Sequence, residues 1–169
     1  TKPQVETDGA GTWIVVMDSK DIYVHHEVYY LISRNDGLDW SEPTLLSGYN
    51  SLYPQISSDR KGNWVIVWQY EPGINQEDIY LSRSHDNGLT WSPARQLASH
   101  TPDRGNAGSA PSIGNDCEGT WICTWMSIPG SDYMGAPYFC VSHDSGMNWT
   151  VPRLLNRFSK DTQWMETAP

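Results

Sequence analysis

One eight-residue phrase occurs three times in this chain of 169 residues. It reads SRNDGLDW at 33–40, SHDNGLTW at 84–91 and SHDSGMNW at 142–149. The copies begin at positions 33, 84 and 142, so their spacing is 51 and then 58 residues. Repeats of this length are typical of propellers and solenoids, in which each unit buries its apolar surface by packing against a neighbour. The chain is therefore predicted to fold as a row of similar units.

A second shared phrase precedes each octapeptide. It reads PQVETDGAGTW from Pro3, PQISSDRKGNW from Pro54 and PSIGNDCEGTW from Pro111, and Pro169 stands where a fourth copy would begin. Turns rich in Asp, Gly and Asn divide each unit into four strands, the first of which follows the proline. In the second unit the run WVIVW is apolar at both odd and even positions. That pattern is typical of a strand covered on both faces.

Four antiparallel strands in each of several repeats describe the blades of a β-propeller. The prediction is an all-β propeller segment of three four-stranded antiparallel blades, in one partial domain over 1–169. The expected blades span about 3–52, 53–109 and 110–166, and 167–169 would start a further blade. A partial ring leaves blade faces exposed, so further blades, or a second copy of the chain, are expected to complete it.

The octapeptide is interpreted as the hairpin between the third and fourth strands of each blade. Its Gly supplies the positive φ of a tight turn, and the Asp or Asn two residues earlier can accept hydrogen bonds from the turn's N–H groups. The Ser adds a second acceptor, and the Trp begins the fourth strand and packs under the hairpin. The residues assigned this structural role are Ser33, Asn35, Gly37, Trp40, Ser84, Asp86, Gly88, Thr90, Trp91, Ser142, Asp144, Gly146 and Trp149.

Charge and composition exclude several partners. The net charge is −9, with 11 Lys and Arg, which argues against nucleic acid or an anionic membrane as the main partner. No apolar run approaches the roughly 20 residues of a membrane span. The three cysteines lack zinc-ligand spacing, and His25 and His26 lack a third ligand and are interpreted as exposed loop residues. The sequence predicts no cofactor and no metal site.

The three octapeptides resemble the Asp box, S-x-D-x-G-x-T-W, of the sialidase superfamily, also called the BNR repeat. The second copy matches in full, whereas the first has Asn35 in the Asp slot and Asp39 in the Thr slot, and the third has Asn148 in the Thr slot. The resemblance covers essentially the whole chain. It implies a six-bladed propeller that works outside the cell and acts on glycans, and Asp boxes also occur in propellers that cleave no sialic acid.

The resemblance also implies a site at the end opposite the octapeptide hairpins. A sialidase holds the substrate carboxylate with arginines, and Arg104 and Arg157 are the two that fall in suitable connections. The acid/base carboxylate is expected in a connection between the second and third strands. Asp132 suits that slot best, ahead of Asp18, Asp21, Glu71, Glu77 and Asp78. The family's Arg-Ile-Pro phrase is absent, and its Tyr and Glu pair would come from blades beyond this sequence.

Three functions follow from these observations. The chain is a segment of a sialidase-like glycoside hydrolase acting on terminal sialic acid or related glycans, a non-catalytic propeller that binds glycans or proteins, or a structural repeat scaffold. Aromatic residues in the expected loops would suit stacking on sugar rings as well as loop packing. Those residues are Tyr23, Tyr49, Tyr53 and Trp164.

Overall fold

The computed structural model describes residues 2–20, 25–73, 76–99, 109–127 and 136–155. These residues form twelve β-strands and no helix. The strands are grouped in three antiparallel sheets, each built from four consecutive strands, which we call blades 1, 2 and 3. The predicted all-β architecture of three four-stranded blades is confirmed. In the described part of the chain, no helix has the length and apolarity that a membrane crossing requires.

Within each blade the strands lie side by side in sequence order. Blade 1 consists of β1 (Gln4–Thr7), β2 (Trp13–Lys20), β3 (His26–Ser33) and β4 (Thr44–Leu45). Blade 2 consists of β5 (Ser51–Ser58), β6 (Trp64–Gly73), β7 (Gln76–Ser84) and β8 (Arg95–Ala98). Blade 3 consists of β9 (Ser109–Asn115), β10 (Trp121–Ser127), β11 (Ala136–Ser142) and β12 (Arg153–Leu154).

Strand β6 is the centre of the described structure because both of its faces are buried. Successive side chains of a strand point to opposite faces, and residues 64 to 68 of β6 are all apolar and almost fully buried. One face packs against blade 1, in a core of Ile14, Val16, Val28, Ile56, Trp64, Ile66 and Trp68. The other packs against blade 3, in a core of Val65, Val67, Ile79, Leu81, Ala98, Trp121, Cys123, Trp125 and Cys140.

Blades 1 and 3 each bury only one face in the described chain. In β10, Trp121 and Trp125 point into the core, whereas the alternate residues Ile122 and Met126 are 44% and 40% exposed. In β2, Ile14 and Val16 are fully buried, and the residues between them are only half-buried. The outer faces of blades 1 and 3 are therefore apolar sheet surfaces that lack a neighbouring blade here.

The antiparallel pairing gives the blades two different ends. At one end, which we call the octapeptide end, the turn between the first two strands meets the octapeptide hairpin of the same blade. Asp36 N donates to Gly11 O at 3.0 Å, and the equivalent bonds in blades 2 and 3 are 2.9 and 3.1 Å. The opposite end carries the connections between second and third strands and between blades, and we call it the loop end. The first strands of neighbouring blades contact one another, so β1, β5 and β9 lie innermost.

Candidate functional site

The three octapeptides form the same hydrogen-bonded hairpin. The serine Oγ accepts a bond from the N–H of the glycine four residues later, at 2.9 Å for Ser33 and Ser84 and 3.0 Å for Ser142. Each glycine has φ near +80°, and the residue before it also has positive φ. The tryptophans lie four residues ahead of the outer strands rather than at their first position, because those strands are only two to four residues long.

The third and seventh residues of the octapeptide differ between copies, and in each copy they form hydrogen bonds with each other. Asp86 accepts bonds from the Thr90 N–H at 2.9 Å and from the Thr90 hydroxyl at 2.5 Å. In the first copy the chemistry is reversed: Asn35 Nδ2 donates to Asp39 Oδ2 at 3.0 Å, while Asn35 Oδ1 accepts the Asp39 N–H. The departure from the family pattern at one position is therefore compensated by the departure at the other.

Hydrogen bonds also lower the pKa of these carboxyl groups. The Thr90 hydroxyl and backbone N–H hold the pKa of Asp86 well below its usual range. In blade 3 the backbone N–H and side-chain amide of Asn148 lower the pKa of Asp144 to about 2. The carboxylates at the octapeptide end are thus ionised and saturated with donors, which suits structural rather than catalytic residues.

Two further contacts at this end join blade 2 to blade 1. Asn87 Nδ2 donates to Asp8 Oδ2 at 2.9 Å and to Thr12 Oγ1 at 3.0 Å, while Asn87 Oδ1 accepts from Trp64 Nε1 at 2.8 Å. Beside it, a Cβ placed on Gly88 would lie 2.7 Å from Cδ1 of Ile14. The octapeptide of one blade is therefore packed directly onto the preceding blade.

The residues predicted to carry chemistry lie outside the described residues. They are Asp132, Arg104 and Arg157, together with Asp21, Tyr23 and Trp164. The five arginines within the described ranges all lie toward the octapeptide end, in its turns or at the adjacent ends of the outer two strands. They are Arg34, Arg60, Arg83, Arg95 and Arg153.

At the loop end, the starts of the three inner strands form an open groove of about 370 Å³. All three blades contribute to it, since β1, β5 and β9 converge at the centre. Lys2 is the charged residue in its lining, and the other contributions are aromatic, amide and proline side chains. The groove is lined by Lys2, Gln4, Tyr53, Pro54, Gln55, Ala110 and Pro111.

The groove contains two residues in a strained backbone conformation. Tyr53 and Ala110 have φ of +53° and +50°, and each directly precedes a proline. Left-handed backbone is unfavourable for residues other than glycine, and such outliers cluster at functional sites. The register of β5 with β6 shifts between Leu52 and Gln55, so the inner strand starts before its proline and bulges there. Tyr53 remains 43% exposed in the groove.

A pair of carboxyl groups lies at the same end of blade 2, on the β6–β7 hairpin. Glu71 and Glu77 lie between the Tyr70–Asp78 and Gly73–Gln76 pairs, on opposite strands. Burial, followed by repulsion from Glu71, raises the pKa of Glu77. A carboxyl group with a raised pKa can hold the proton that general acid catalysis needs.

The buried side chain of Gln69 connects this pair to the groove. Its Nε2 donates to Glu71 Oε1 at 2.8 Å, and its Oε1 accepts from the N–H of Ala110, a groove residue, at 3.3 Å. Gln69 is only 2% exposed. The backbone N–H of Glu71 also donates to Asn50 O at 2.8 Å, on the connection that leads to Tyr53. Hydrogen bonds therefore connect the carboxyl hairpin to the groove.

Blade 1 adds an imidazole–carboxylate pair at the same end. His26 Nδ1 lies 2.8 Å from Asp18 Oδ2, and the Asp18 side chain is fully buried. Next to it, the rings of His25 and Tyr49 are 4.6 Å apart. The interpretation of His26 as an exposed loop residue is wrong, because it begins β3 and its ring is 20% exposed. Among the described residues, no group of three or more His, Cys, Asp or Glu side chains could hold a metal ion.

No protein-family model and no curated protein matches the sequence. Solved structures do match. An alpha-L-arabinanase from Penicillium chrysogenum, complexed with arabinobiose, is 18% identical with a TM-score of 0.63, over 95% of this chain and 50% of that one. An endo-arabinase from Bacteroides thetaiotaomicron is 18% identical with a TM-score of 0.62, over 92% of this chain and 61% of that one.

NanB sialidase from Streptococcus pneumoniae also matches, with 17% identity and a TM-score of 0.54 over 86% of this chain and 22% of that one. The chain spans about half the length of the Penicillium arabinanase and less than two thirds of the Bacteroides enzyme. At these identities the likeness concerns the fold. The chain has the β-propeller fold, which it shares with carbohydrate-active enzymes.

Proposed function

We propose that this chain is the glycan-binding segment of a carbohydrate-active propeller, and that its ligand binds at the loop end. The observation that carries the proposal is the groove to which all three inner strands contribute, with Tyr53 held in it by a strained backbone. An exposed aromatic ring beside amide side chains suits a sugar, whose apolar face stacks while its hydroxyls form hydrogen bonds. Tyr53 and Gln55 supply these two groups from one strand.

The β6–β7 hairpin supplies a candidate for hydrolysis. Most glycoside hydrolases use two carboxyl groups, one of which stays protonated to donate to the leaving oxygen. Glu77 has the raised pKa that this role requires, and Glu71 is the neighbouring carboxylate. In this proposal Glu77 is the acid of a glycosidase. Asp132 remains the alternative acid, as the resemblance to the sialidase superfamily implies.

Sialic acid is the more specific form of the proposal. It is supported by three Asp-box octapeptides with the spacing of successive blades. A sialoside carries a carboxylate, so its binding would depend on the predicted arginines Arg104 and Arg157. A neutral saccharide such as an arabino-oligosaccharide needs no such clamp. The charge of the preferred ligand therefore distinguishes a sialoside-binding site from a site for neutral saccharides.

A complete ring is also part of the proposal, and the outer blade faces support it. Ile14 packs onto Gly88 of the next blade, and Val65 packs onto Gly146 in the same way. The equivalent residue of blade 3, Ile122, is exposed. In blade 1, a Cβ placed on Gly37 would have only the Trp ring of its own hairpin within 4 Å. The two outer faces thus carry the complementary halves of the same contact, which further blades or a second copy would complete.

Calorimetric titration with a neutral arabino-oligosaccharide and with sialyllactose tests the proposal. We expect one of them to bind, and Tyr53→Ala to weaken binding about tenfold, the effect of losing one stacked ring. Leu89→Ala, which removes a 67% exposed side chain at the octapeptide end, is the control and should change nothing. The proposal is wrong if neither saccharide binds, or if both variants bind like the wild type.

Turnover is measured separately with the saccharide that binds. Glu77→Gln keeps the shape of the side chain but cannot donate the proton, so it should abolish hydrolysis and leave the dissociation constant unchanged. Binding without any turnover by the wild-type chain would favour a non-catalytic binding module. Turnover that Glu77→Gln retains and Asp132→Ala abolishes would assign the acid to Asp132.

A further inference from the structure

Asp18 and His26 form a pair whose geometry fixes the state of one ring nitrogen. Asp18 is the sixth residue of β2, and its side chain points inward with no exposed area. His26 begins the neighbouring strand β3, and its Nδ1 lies 2.8 Å from Asp18 Oδ2. An ionised carboxylate only accepts hydrogen bonds. With Asp18 as a carboxylate, Nδ1 carries the proton in this contact.

The tautomer of the ring follows from that contact. A neutral imidazole has one N–H donor and one acceptor nitrogen, and the partner of one nitrogen determines the role of the other. With the proton on Nδ1, the Nε2 of His26 is a hydrogen-bond acceptor. No residue of the described chain bonds to Nε2, and the ring is 20% exposed. A buried carboxylate thus holds an outward acceptor in one orientation.

The position of the pair connects it to the candidate site. The neighbouring His25 ring contacts the Tyr49 ring at a tilt of 37°, in the connection between β4 and β5. In the same connection, Asn50 O accepts a hydrogen bond from the backbone N–H of Glu71. The connection then continues into β5 toward Tyr53. His25, the residue before His26, and the carboxyl hairpin of blade 2 therefore both contact one short connection, which leads to Tyr53 of the groove.

We infer that Asp18 and His26 form a hydroxyl-binding pair, in which His26 Nε2 accepts a hydrogen bond from a hydroxyl group of the saccharide. The inference rests on the proposed function, since it names a further contact of the same site. Asp18 is a positioning residue: it acts through His26 and does not touch the ligand. A ring fixed by a buried partner loses little freedom when the ligand binds, so its contact contributes more to affinity than that of a mobile side chain.

The first test measures the tautomer directly, without any ligand. Long-range ¹H–¹⁵N spectra of the chain identify which ring nitrogen carries the proton. The inference predicts Nδ1–H for His26 at neutral pH, whereas the exposed octapeptide residues His85 and His143 serve as internal references for unconstrained rings. In Asp18→Ala, His26 should change to resemble those references. A proton on Nε2 of His26 in the wild-type chain, with or without one on Nδ1, overturns the inference, whether or not the variant folds.

The second test measures the contact with the saccharide that binds in the calorimetric experiment. His26→Phe retains a planar ring but removes both nitrogens, and it should weaken binding about three- to tenfold, the effect of one hydrogen bond. His85→Phe at the octapeptide end is the matched control and should have no effect. If the saccharide binds His26→Phe as tightly as the wild type, this inference fails while the proposed function stands. If no saccharide binds the wild type, both fail.

Discussion

The pKa values of carboxyl groups are shifted in opposite directions at the two ends of the blades. At the octapeptide end, hydrogen bonds lower the pKa of three Asp side chains. The backbone N–H of Glu118 donates to Asp116, Thr90 donates to Asp86, and Asn148 donates to Asp144. At the loop end, burial and a second carboxylate raise the pKa of Glu77. Hydrogen bonds to a carboxylate stabilise the folded state, whereas two adjacent carboxylates destabilise it.

The backbone shows the same contrast. At the octapeptide end every left-handed residue other than glycine lies in a turn within two residues of a glycine, where hydrogen bonds of the turn stabilise it; these residues are Asp36, Arg60, Asn87, Cys117 and Ser145. At the loop end the left-handed residues are Asn50, Tyr53 and Ala110, and the last two lie inside strands β5 and β9, directly before prolines. The comparison indicates that the octapeptide end stabilises the blades and that the loop end holds strain and repulsion typical of a binding site.

The largest effect is expected from Gly88→Ala at the octapeptide end. A methyl group there would lie 2.7 Å from Cδ1 of Ile14, and the alanine backbone would have to adopt a φ of +78°. The left-handed conformation costs about 1–2 kcal/mol and overpacking a further 1–3 kcal/mol in the free energy of unfolding. Gly37→Ala has the same φ but no neighbouring blade, so only the first cost applies. Urea unfolding of both variants measures the difference, and equal losses would show that the octapeptide does not pack on the preceding blade.

The next effect is expected from Asn87→Ala. It removes the bonds to Asp8, Thr12 and Trp64, which leaves a buried indole N–H without an acceptor. We expect a loss of about 1–3 kcal/mol in the free energy of unfolding. Ser145→Ala, at the equivalent position of blade 3 and with φ of +58°, is the matched control. A similar loss in both variants would mean that the backbone conformation, and not the contact between blades, determines stability here.

At the loop end the expected change in the free energy of unfolding has the opposite sign, and Glu77→Gln should stabilise the chain. The folded-state pKa of Glu77 is raised, so stability present below its ordinary pKa of 4.5 is lost as pH rises through the folded-state pKa. Removing the charge should recover about 0.2–1 kcal/mol at pH 7, the range for exposed ion pairs, and nothing below about pH 4. Thermal unfolding at pH 7 and pH 3.5 measures this. A lower melting temperature at pH 7 would contradict the repulsion between Glu71 and Glu77.

The smallest effect is expected from Asp144→Asn, and it disappears in acid. The folded-state pKa of Asp144 is about 2, against an ordinary value of 3.8. Its contribution to stability is therefore present above pH 3.8 and is lost as pH falls toward 2. The variant should be slightly less stable than the wild type at pH 7, should change less with pH in that window and should match the wild type near pH 2. Asn35 already occupies this slot in the first copy. An unchanged acid dependence would show that Asp144 is not stabilised by its hydrogen bonds.

The sequence predicted the blades because their signals are local. A Ser, an Asp or Asn, and a Gly within five residues determine a hairpin through contacts with one another, and three such copies at blade spacing determine the order of the strands. The sequence also predicts that strand β6 is covered on both faces, since a run that is apolar at both odd and even positions indicates burial of both faces.

The site could not be predicted in this way, because its geometry depends on contacts between strands. The left-handed conformation of Tyr53 follows from a register shift between β5 and β6. The Asp18–His26 contact depends on which residues of β2 and β3 lie near one another. An Asp followed eight residues later by His at the two ends of a predicted hairpin was the available signal. Asp132, Arg104 and Arg157 remain predictions.

Chemical-shift mapping with the saccharide that binds tests the central claim most directly. The amide signals of Gln55, Glu71 and Ala110 are expected to shift in proportion to one binding isotherm. Those of Gly37, Gly88 and Gly146 in the octapeptide hairpins are expected not to move. Shifts concentrated in the octapeptide hairpins, with the loop end unchanged, would contradict the assignment of structure to one end of the blades and binding to the other.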